Sequence, residues 1–239
     1  MKTLGVIGGL GPMATAYFLQ LITEMTRASV DQEHIHVLID SNPATPDRTK
    51  YILGLSDENP YPYLISSGQK LKAAGADVLC MTCNTAQYFR TDLEKELGVN
   101  IIGLITETAG YLAARGIKKV GLMATDGSIK TRVYQDTFAA HGIETIVPDA
   151  KNQAGVMSII YDNIKAGIPA DMTLFDEISA QLFNDGAEVI VLGCTELSVI
   201  KRDFSLKPGY IDSMQVMAAK AIEICGGALD DAYTDLITK

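Results

Sequence analysis

Two stretches of the chain match each other position by position, and this repetition limits the folds available to it. GADVLCMTCNT ends at Thr85 and GAEVIVLGCTE ends at Glu196, so each residue of the first lies 111 positions before its counterpart. Each stretch is a glycine, a short apolar run typical of a buried strand, and then a cysteine followed by a polar residue. We therefore expect Cys83 and Cys194 to occupy equivalent places.

A second pair of stretches repeats at nearly the same spacing. KTLGVIGGLG (2–11) and KKVGLMATDG (118–127) match at an offset of 116. Two such matches indicate related halves, each a parallel α/β unit. We predict an α/β fold of two similar parallel-sheet domains, Rossmann-like or flavodoxin-like, related by a pseudo-twofold axis with the active site in the cleft between them. The first domain comprises residues 1–115 plus 210–239, and the second comprises residues 116–209.

Composition excludes several classes of partner. The 239 residues include 20 basic and 29 acidic residues, a net charge of −9, with no basic patch for nucleic acid or an anionic membrane. No segment approaches the roughly 18 uninterrupted apolar residues of a membrane span. The four cysteines are sparse and no export signal is recognised, which favours reduced thiols and a cytoplasmic location.

Periodicity and breakers predict the order of elements along the chain. Predicted strands cover 3–8, 34–40, 76–81, 100–104, 120–124 and 144–147, and a further strand leads to Cys194. Predicted helices cover 12–28, 61–74, 84–98, a segment ending at 116, 131–141, a segment carrying 161–165, a segment before 186, and 213–225. Residues 9–12 and 125–128 are predicted turns, and Arg48 lies in a proline-containing loop.

Ligands of open parallel sheets bind beyond the carboxyl ends of the strands, so the two cysteines should face one cleft. A helix that begins after each cysteine can lower a thiol pKa from about 8.5 and bind a carboxylate. Two opposed thiols suit the removal of a proton from one face of a carbon and the delivery of another to the opposite face. The alternative is that both cysteines are small hydrophobic residues that end buried strands.

Other candidate residues would hold an anionic substrate. Arg48 and Lys165 could together fix a carboxylate, although each is also an ordinary surface residue type. Neutral hydrogen bonds could come from Asn84, Thr85, Thr125, Ser128 and Thr195, which could equally cap helices.

Two motifs favour other classes of protein. GLGPMA (9–14) with Asp40 is a weak dinucleotide fingerprint, but the acidic residue is later than the usual spacing of about 20. Cys80 and Cys83 form a C-x-x-C, a redox signature, although Cys80 falls inside the apolar strand. The three histidines show no ligand spacing with the cysteines, which argues against zinc.

At these residues the chain resembles the cofactor-independent aspartate/glutamate racemase family, and within it the aspartate racemases. The resemblance rests on GVIGGLGPMAT, PDRT, CNTA, ATDGS and GCTEL, which span nearly the whole length. It implies racemisation of an acidic amino acid without pyridoxal phosphate, other cofactor or metal, in a homodimer. Cys194 would act on the L-enantiomer and Cys83 on the D-enantiomer.

The resemblance also implies binding roles. Arg48 and Lys165 would hold the side-chain carboxylate. The α-carboxylate and amino group would be bound by Asn84, Thr85, Ala86, Thr125 and Thr195. Apart from the resemblance, Gly9, Ser128 and Glu196 are candidates for a supporting layer behind these residues. Gln87 and Ser198 depart from the common histidine and proline, and Glu196 favours aspartate over glutamate. Glutamate or broad specificity, a C-x-x-C redox protein and a dinucleotide-binding oxidoreductase remain the alternatives.

Overall fold

The computed structural model describes residues 1–239 and contains two parallel β-sheets. The strands are β1 (Leu4–Gly8), β2 (Val37–Ser41), β3 (Val78–Met81), β4 (Lys119–Ala124), β5 (Glu144–Ile146), β6 (Val189–Gly193) and β7 (Tyr210–Asp212). The first sheet has the order β2-β1-β3 and the second the order β5-β4-β6-β7. The predicted α/β fold with two similar parallel sheets is therefore confirmed.

The strand register repeats the two sequence offsets. Gly5 of β1 pairs with Leu79 of β3, and Gly121 of β4 pairs with Ile190 of β6. These are the positions 116 and 111 residues apart. Packing is equivalent too: a Cβ at Gly5 would lie 2.8 Å from the Cβ of Ala76, and one at Gly121 would lie 3.3 Å from that of Ala187. Both glycines thus let an alanine of the preceding helix–strand connection approach the sheet closely.

Eleven α-helices cover the sheets. They are α1 (Pro12–Met25), α2 (Arg48–Leu53), α3 (Tyr61–Ala73), α4 (Arg90–Leu97), α5 (Leu104–Ala114), α6 (Asp126–Lys130), α7 (Val133–Ala140), α8 (Ala150–Ser158), α9 (Met172–Asn184), α10 (Thr195–Asp203) and α11 (Ser213–Cys225). Short 3₁₀ turns cover Asp31–Glu33, Thr85–Phe89 and Asp231–Tyr233, and a π-helical turn covers Ile159–Ile164. None of the helices combines the length and hydropathy that a membrane span requires.

Alternation along the strands divides the core into three clusters. Val78 and Cys80 of β3 enter a large cluster that also contains Val189 and Val191 of β6, together with residues of α1, α5, α7 and α11. Leu79 enters a cluster confined to the first half, since successive strand residues face opposite sides of the sheet. The corresponding faces of β4 and β6 build a third cluster in the second half. One core is therefore shared by both halves.

Several short elements differ from the sequence prediction. Arg48 does not lie in a loop; it is the first residue of α2, whose Asp47 cap accepts a hydrogen bond from the backbone N–H of Lys50. The predicted strand at 100–104 is reduced to one bridge between Ile101 and Leu79, and the predicted turn at 125–128 opens α6. The helix predicted from residue 84 begins as a 3₁₀ turn. All four are only a few residues long, where capping decides more than periodicity.

Strand β7 bears on the predicted domain boundary. The sequence prediction places residues 210–239 in the first domain, yet Tyr210, Ile211 and Asp212 pair with β6 of the second sheet. The helix that follows, α11, packs instead on α1 and α5 of the first half. The chain therefore leaves the second sheet after residue 212 and returns to the first half with α11. The division into domains stays a prediction.

Candidate active site

The carboxyl ends of β1, β3, β4 and β6 meet around one small cavity. It is lined by Leu10, Asp47, Arg48, Thr49, Cys83, Thr85, Thr125, Tyr161, Lys165, Cys194 and Glu196. Its volume is about 10 Å³, which suffices for about one water molecule. Both halves of the chain supply the lining, and six of these eleven residues can carry a charge at accessible pH.

The two cysteines reach this cavity from equivalent positions. Cys83 follows β3 and Cys194 follows β6, where it is the cap residue of α10. Both are buried, with 7% and 5% of their surface exposed. The repeated sequence therefore brings two free thiols to the wall of one cavity.

Glu196 connects Cys194 to a lysine. The Cys194 Sγ–H donates to Glu196 Oε2 at 2.9 Å, and Lys165 Nζ lies 2.8 Å from Glu196 Oε1. Thr195 Oγ1 donates to the same carboxylate at 3.2 Å. The carboxylate is almost fully buried, whereas 27% of the Lys165 side chain is exposed. Every oxygen of Glu196 thus has a donor inside the protein.

This arrangement sets opposite protonation tendencies on neighbouring groups. Burial raises the pKa of the Cys194 thiol, and the Glu196 carboxylate raises it further, to well above its usual value despite the attraction of Lys165. Burial also disfavours ionised Glu196, but Lys165 and the hydrogen bonds from Cys194 and Lys165 outweigh it and hold the pKa of Glu196 below its usual value. The backbone N–H of Glu196 in the first turn of α10 does act to lower the pKa of the Cys194 thiol, as expected of a helix start, but burial and the Glu196 carboxylate outweigh it.

Arg48 is buried beside the other cysteine. Its Nη1 donates to the carbonyl oxygens of Pro46 at 2.8 Å and Thr45 at 3.2 Å, and its Nη2 donates to that of Leu10 at 2.5 Å. Burial acts to lower the pKa of the guanidinium, but the neighbouring Cys83 raises it above its usual value. A cation therefore stands next to Cys83. The Nε–H of Arg48 is buried and has no partner.

Gly9 positions one of those carbonyls. It has φ 79°, a left-handed conformation, and a Cβ there would lie 2.3 Å from the backbone nitrogen of Asn42. Its N–H donates to Thr15 Oγ1 at 2.9 Å, which fixes the turn between β1 and α1. Only glycine allows this turn, and the turn presents the Leu10 carbonyl to Arg48.

Three hydroxyl groups join the halves beside the cavity. Thr85 Oγ1 and Thr125 Oγ1 lie 2.8 Å apart, and Ser128 Oγ lies 3.2 Å from Thr125 and 3.4 Å from Thr85. All three residues are buried. The network supplies neutral donors and acceptors that can rotate toward a ligand.

Other sequence candidates lie behind the wall. Asn84 Oδ1 accepts hydrogen bonds from Tyr134 and from Ser213, while its buried Nδ2 has no partner. Ala86 is fully buried in the core of the first half, and Thr195 reaches the cavity only through Glu196. Asn84, Ala86, Thr195, Gly9 and Ser128 are therefore near the cavity without lining it.

Four lining residues were missed by the sequence reasoning: Leu10, Asp47, Thr49 and Tyr161. Tyr161 OH donates to Asp47 Oδ2 at 3.0 Å, which joins the π-helical turn of the second half to the cap of α2 in the first. Two signals could have found them. Asp47 adjoins Arg48 in the PDRT motif, and Tyr161 precedes Lys165 by one helical turn.

Comparison with known proteins decides the family. The sequence profile described as Asp/Glu/Hydantoin racemase matches residues 7–221. The chain belongs to the Asp/Glu/Hydantoin racemase family. The resemblance drawn from the sequence motifs is thereby confirmed, as is the prediction of an amino-acid racemase at the level of this family.

Several known racemases are similar to this chain over most of its length. Picrophilus torridus aspartate racemase has a TM-score of 0.81 and 29% identity, covering 98% of this chain and 98% of that one. The broad specificity amino-acid racemase RacX of Bacillus subtilis (strain 168) is 26% identical over 230 residues, 92% of this chain and 96% of its own length. Francisella tularensis glutamate racemase, solved with D-glutamate, has a TM-score of 0.65 at 16% identity over 93% of this chain and 80% of that one, a likeness of fold.

The structure disfavours the two competing motifs within this racemase family member. Cys80 is fully buried in the shared core, whereas Cys83 belongs to the cluster of the first half, so the two cysteines of the C-x-x-C face different sides of β3. Asp40 accepts a hydrogen bond from Ser67 at 2.5 Å and pairs with Lys70, so it is engaged by α3.

Proposed function

We propose that this racemase interconverts L-aspartate and D-aspartate without a cofactor, using Cys83 and Cys194 as the two acid/base groups. The observation that carries the proposal is that thiols from equivalent positions of the two halves line one cavity together with Arg48 and Lys165. A single base would return the proton to the face from which it came. Two thiols on one cavity allow opposite faces to be served.

The reaction needs one thiolate and one thiol. The thiolate sulfur takes the Cα proton, the electron pair left on Cα is delocalised into the α-carboxylate, and the other S–H gives its proton to the opposite face of Cα. The first cysteine ends as a thiol and the second as a thiolate, with no change of oxidation state. Following the family resemblance, Cys194 serves the L-enantiomer and Cys83 the D-enantiomer.

The cations suit the distal carboxylate of the substrate. Arg48 keeps an unpartnered Nε–H, and Lys165 presents an ammonium to the same cavity. The hydroxyls of Thr85 and Thr125, the amide of Asn84 and the start of α10 at Thr195 then serve the α-carboxylate and amino group, near Ala86. Donors fixed before the reaction stabilise charge that develops on the α-carboxylate, which is the main obstacle to removing so weakly acidic a proton.

The cavity must change size for this reaction. About 10 Å³ holds a water molecule and no amino acid. Contacts between the halves, such as Tyr161 with Asp47 and Thr85 with Thr125, therefore have to part when substrate enters. Their return would exclude water from the reacting groups, which strengthens the electrostatic interactions there.

A broader substrate range is the second candidate. It is favoured by the similarity to a broad specificity amino-acid racemase over 230 residues. The charged residues that line the cavity are compatible with substrates other than dicarboxylates, because Lys165 is already paired with Glu196 and Arg48 with backbone carbonyls. Glutamate, one methylene longer, belongs to the same test.

The test is exchange of the Cα proton followed by NMR in heavy water, with chiral analysis of the same samples. The purified protein without added cofactor is incubated with L-aspartate, L-glutamate and an uncharged amino acid such as L-alanine. Exchange with racemisation of aspartate alone supports the proposal, and comparable rates with alanine would support broad specificity. Absence of exchange with all three would overturn the proposal. Size-exclusion chromatography tests the homodimer that the resemblance implies.

A further inference from the structure

The two halves differ in charge at one equivalent position beside the thiols. Thr85 lies two residues after Cys83, and Glu196 lies two residues after Cys194, so they correspond under the 111-residue repeat. Thr85 directs its hydroxyl to Thr125 and Ser128. Glu196 directs its carboxylate to Cys194. The repeat thus places a neutral side chain after one thiol and an anion after the other.

The cations reinforce this difference. Arg48 stands beside Cys83, and its own side chain is held by three carbonyl oxygens. Lys165, the cation of the second half, forms an ion pair with the other oxygen of Glu196 at 2.8 Å. Cys83 therefore faces a positive charge, whereas Cys194 faces a carboxylate whose charge the lysine balances.

We infer that Glu196 is a positioning residue that holds the proton on Cys194, so that Cys194 is the thiol of the resting pair. The inference rests on the proposed function. Its geometric basis is the Sγ–H to Oε2 hydrogen bond of 2.9 Å inside a buried site. An ionised Cys194 would place a second anion against that carboxylate and would lose the hydrogen bond that the thiol donates.

Other charged groups around Cys194 do not reverse this preference. Lys165 is attractive but is shared with Glu196, and Tyr134 and Tyr161 are near enough for Cys194 to raise the pKa of both phenols, after the larger effect of burial. Neutral phenols carry no charge that would favour a thiolate. An anionic sulfur at Cys83, which lines the same cavity, would repel a thiolate at Cys194.

The place of the carboxylate is itself prepared by the fold. A Cβ on Gly11 would lie 2.8 Å from Glu196 Oε1. Gly11 has φ 169°, extended backbone that any residue adopts, so a larger residue there is excluded by the carboxylate and not by the backbone. The turn after β1 therefore leaves space for Glu196 to reach both Cys194 and Lys165.

One consequence concerns the return of the enzyme to its starting state. After Cys194 has given up its proton, the new thiolate lies against Glu196. Transfer to Cys194 of the proton that Cys83 took from Cα is then favoured, which restores the starting state of the pair. Glu196 would thus reset the pair of thiols after each turnover in one direction.

The test measures the titration of Cys194 directly, by thiolate absorbance at 240 nm. In Cys83→Ala protein the thiols left are Cys194 and the core cysteines Cys80 and Cys225, whose contribution cancels between variants. Replacing the carboxylate in that background, as Cys83→Ala/Glu196→Gln, is expected to lower the titration midpoint of Cys194 by about one pH unit or more. An unchanged or higher midpoint would overturn the inference.

One control variant and one alternative variant check this result. Cys83→Ala/Glu177→Gln removes an exposed carboxylate and is expected to leave the midpoint unchanged. Should Glu196→Gln fail to fold, Gly11→Ala displaces the carboxylate without altering it and is expected to shift the midpoint in the same direction, and no shift with a native circular-dichroism spectrum would overturn the inference.

Racemisation by the unmodified enzyme is assayed in parallel so that the two ideas can fail separately. A shifted midpoint in an enzyme that racemises no amino acid leaves the role of Glu196 standing and removes the proposed function. Normal racemisation with an unmoved midpoint removes the role of Glu196 alone.

Discussion

Thr85 and Thr125 share a hydrogen bond of 2.8 Å between hydroxyl groups that come from different halves of the chain. Thr85 opens the 3₁₀ turn after Cys83, and Thr125 caps α6, where its Oγ1 also accepts from the N–H of Ser128. Both are buried. This bond therefore couples the segment that carries one thiol to the helix start that faces it.

Loss of this bond should weaken both folding and catalysis. Thr125→Val removes the bond to Thr85 and the cap of α6, so we expect the free energy of unfolding to fall by about 1–2 kcal/mol. Urea denaturation measures this change. Thr137→Val, which removes a hydroxyl bonded within its own helix, is the control and should change stability by about 0.5 kcal/mol or less. Equal losses in both variants would contradict a special role for the bond.

Each active-site thiol should be indispensable for racemisation. Cys83→Ala and Cys194→Ala are each expected to reduce the rate of racemisation at least about 100-fold, because each removes one of the two proton carriers. Cys80→Ala alters a core thiol that does not line the cavity and should retain most activity. The assay is chiral chromatography of aspartate. Substantial activity in either active-site variant would rule out a mechanism with two thiols.

The pH profile should extend to higher pH than an ordinary thiol allows. Racemisation of D-aspartate, in which Cys83 takes the Cα proton, needs Cys194 protonated, and burial followed by Glu196 raises the pKa of that thiol. The protonated form therefore persists as pH rises through the usual value of about 8.5, and activity is lost only above it. Initial rates of racemisation of D-aspartate from pH 6 to pH 11 test this. A fall at or below about 8.5 would show that Cys194 is not protected as described.

Arg48 should not be replaceable by lysine. Arg48→Lys keeps the charge but cannot donate to the carbonyls of Leu10, Thr45 and Pro46 at once. We expect kcat/KM for aspartate to fall at least about 100-fold, as for the loss of a fixed donor in other enzymes. Lys151→Ala, at an exposed position, is the control. The same change in kcat/KM in both variants would show that Arg48 does not act in the site.

The hydroxyl of Tyr161 should contribute to substrate binding through the joined halves. Tyr161→Phe removes the donor to Asp47 Oδ2, and we expect KM to rise by about tenfold, the equivalent of one hydrogen bond to a charged group. Steady-state kinetics with aspartate measure it. Tyr63→Phe removes a hydroxyl at the surface and should leave KM unchanged. An unaltered KM in Tyr161→Phe would mean that this contact is incidental.

Long, strongly patterned elements could be predicted from the sequence. The apolar runs of β1, β3, β4 and β6 fall within the predicted strands, and α11 has the predicted bounds Ser213–Cys225. Because these strands are buried on both faces, their apolar runs can be recognised from the local sequence. Short elements were missed because only a few residues define them: α2 begins at Arg48 through its Asp47 cap, and β7 exists because β6 offers it an edge.

The candidate site divides in the same way. The spacing of Cys83 and Cys194 sufficed to place them at equivalent strand ends, since the repeat fixes both register and strand direction. The contact of Lys165 with Glu196, and that of Tyr161 with Asp47, could not be foreseen. Each joins side chains from different elements, and such a distance depends on how the elements pack.

By itself the sequence determined the repeated α/β architecture, two thiols at matched positions and the charged residues available near them, because hydrophobic period and chain spacing are local properties. Only the tertiary structure decided that one thiol faces Arg48 and the other Glu196, and that the cavity between them measures about 10 Å³. Protonation and volume are set by burial and by distances of a few ångströms between distant residues, which the linear order of the chain does not specify.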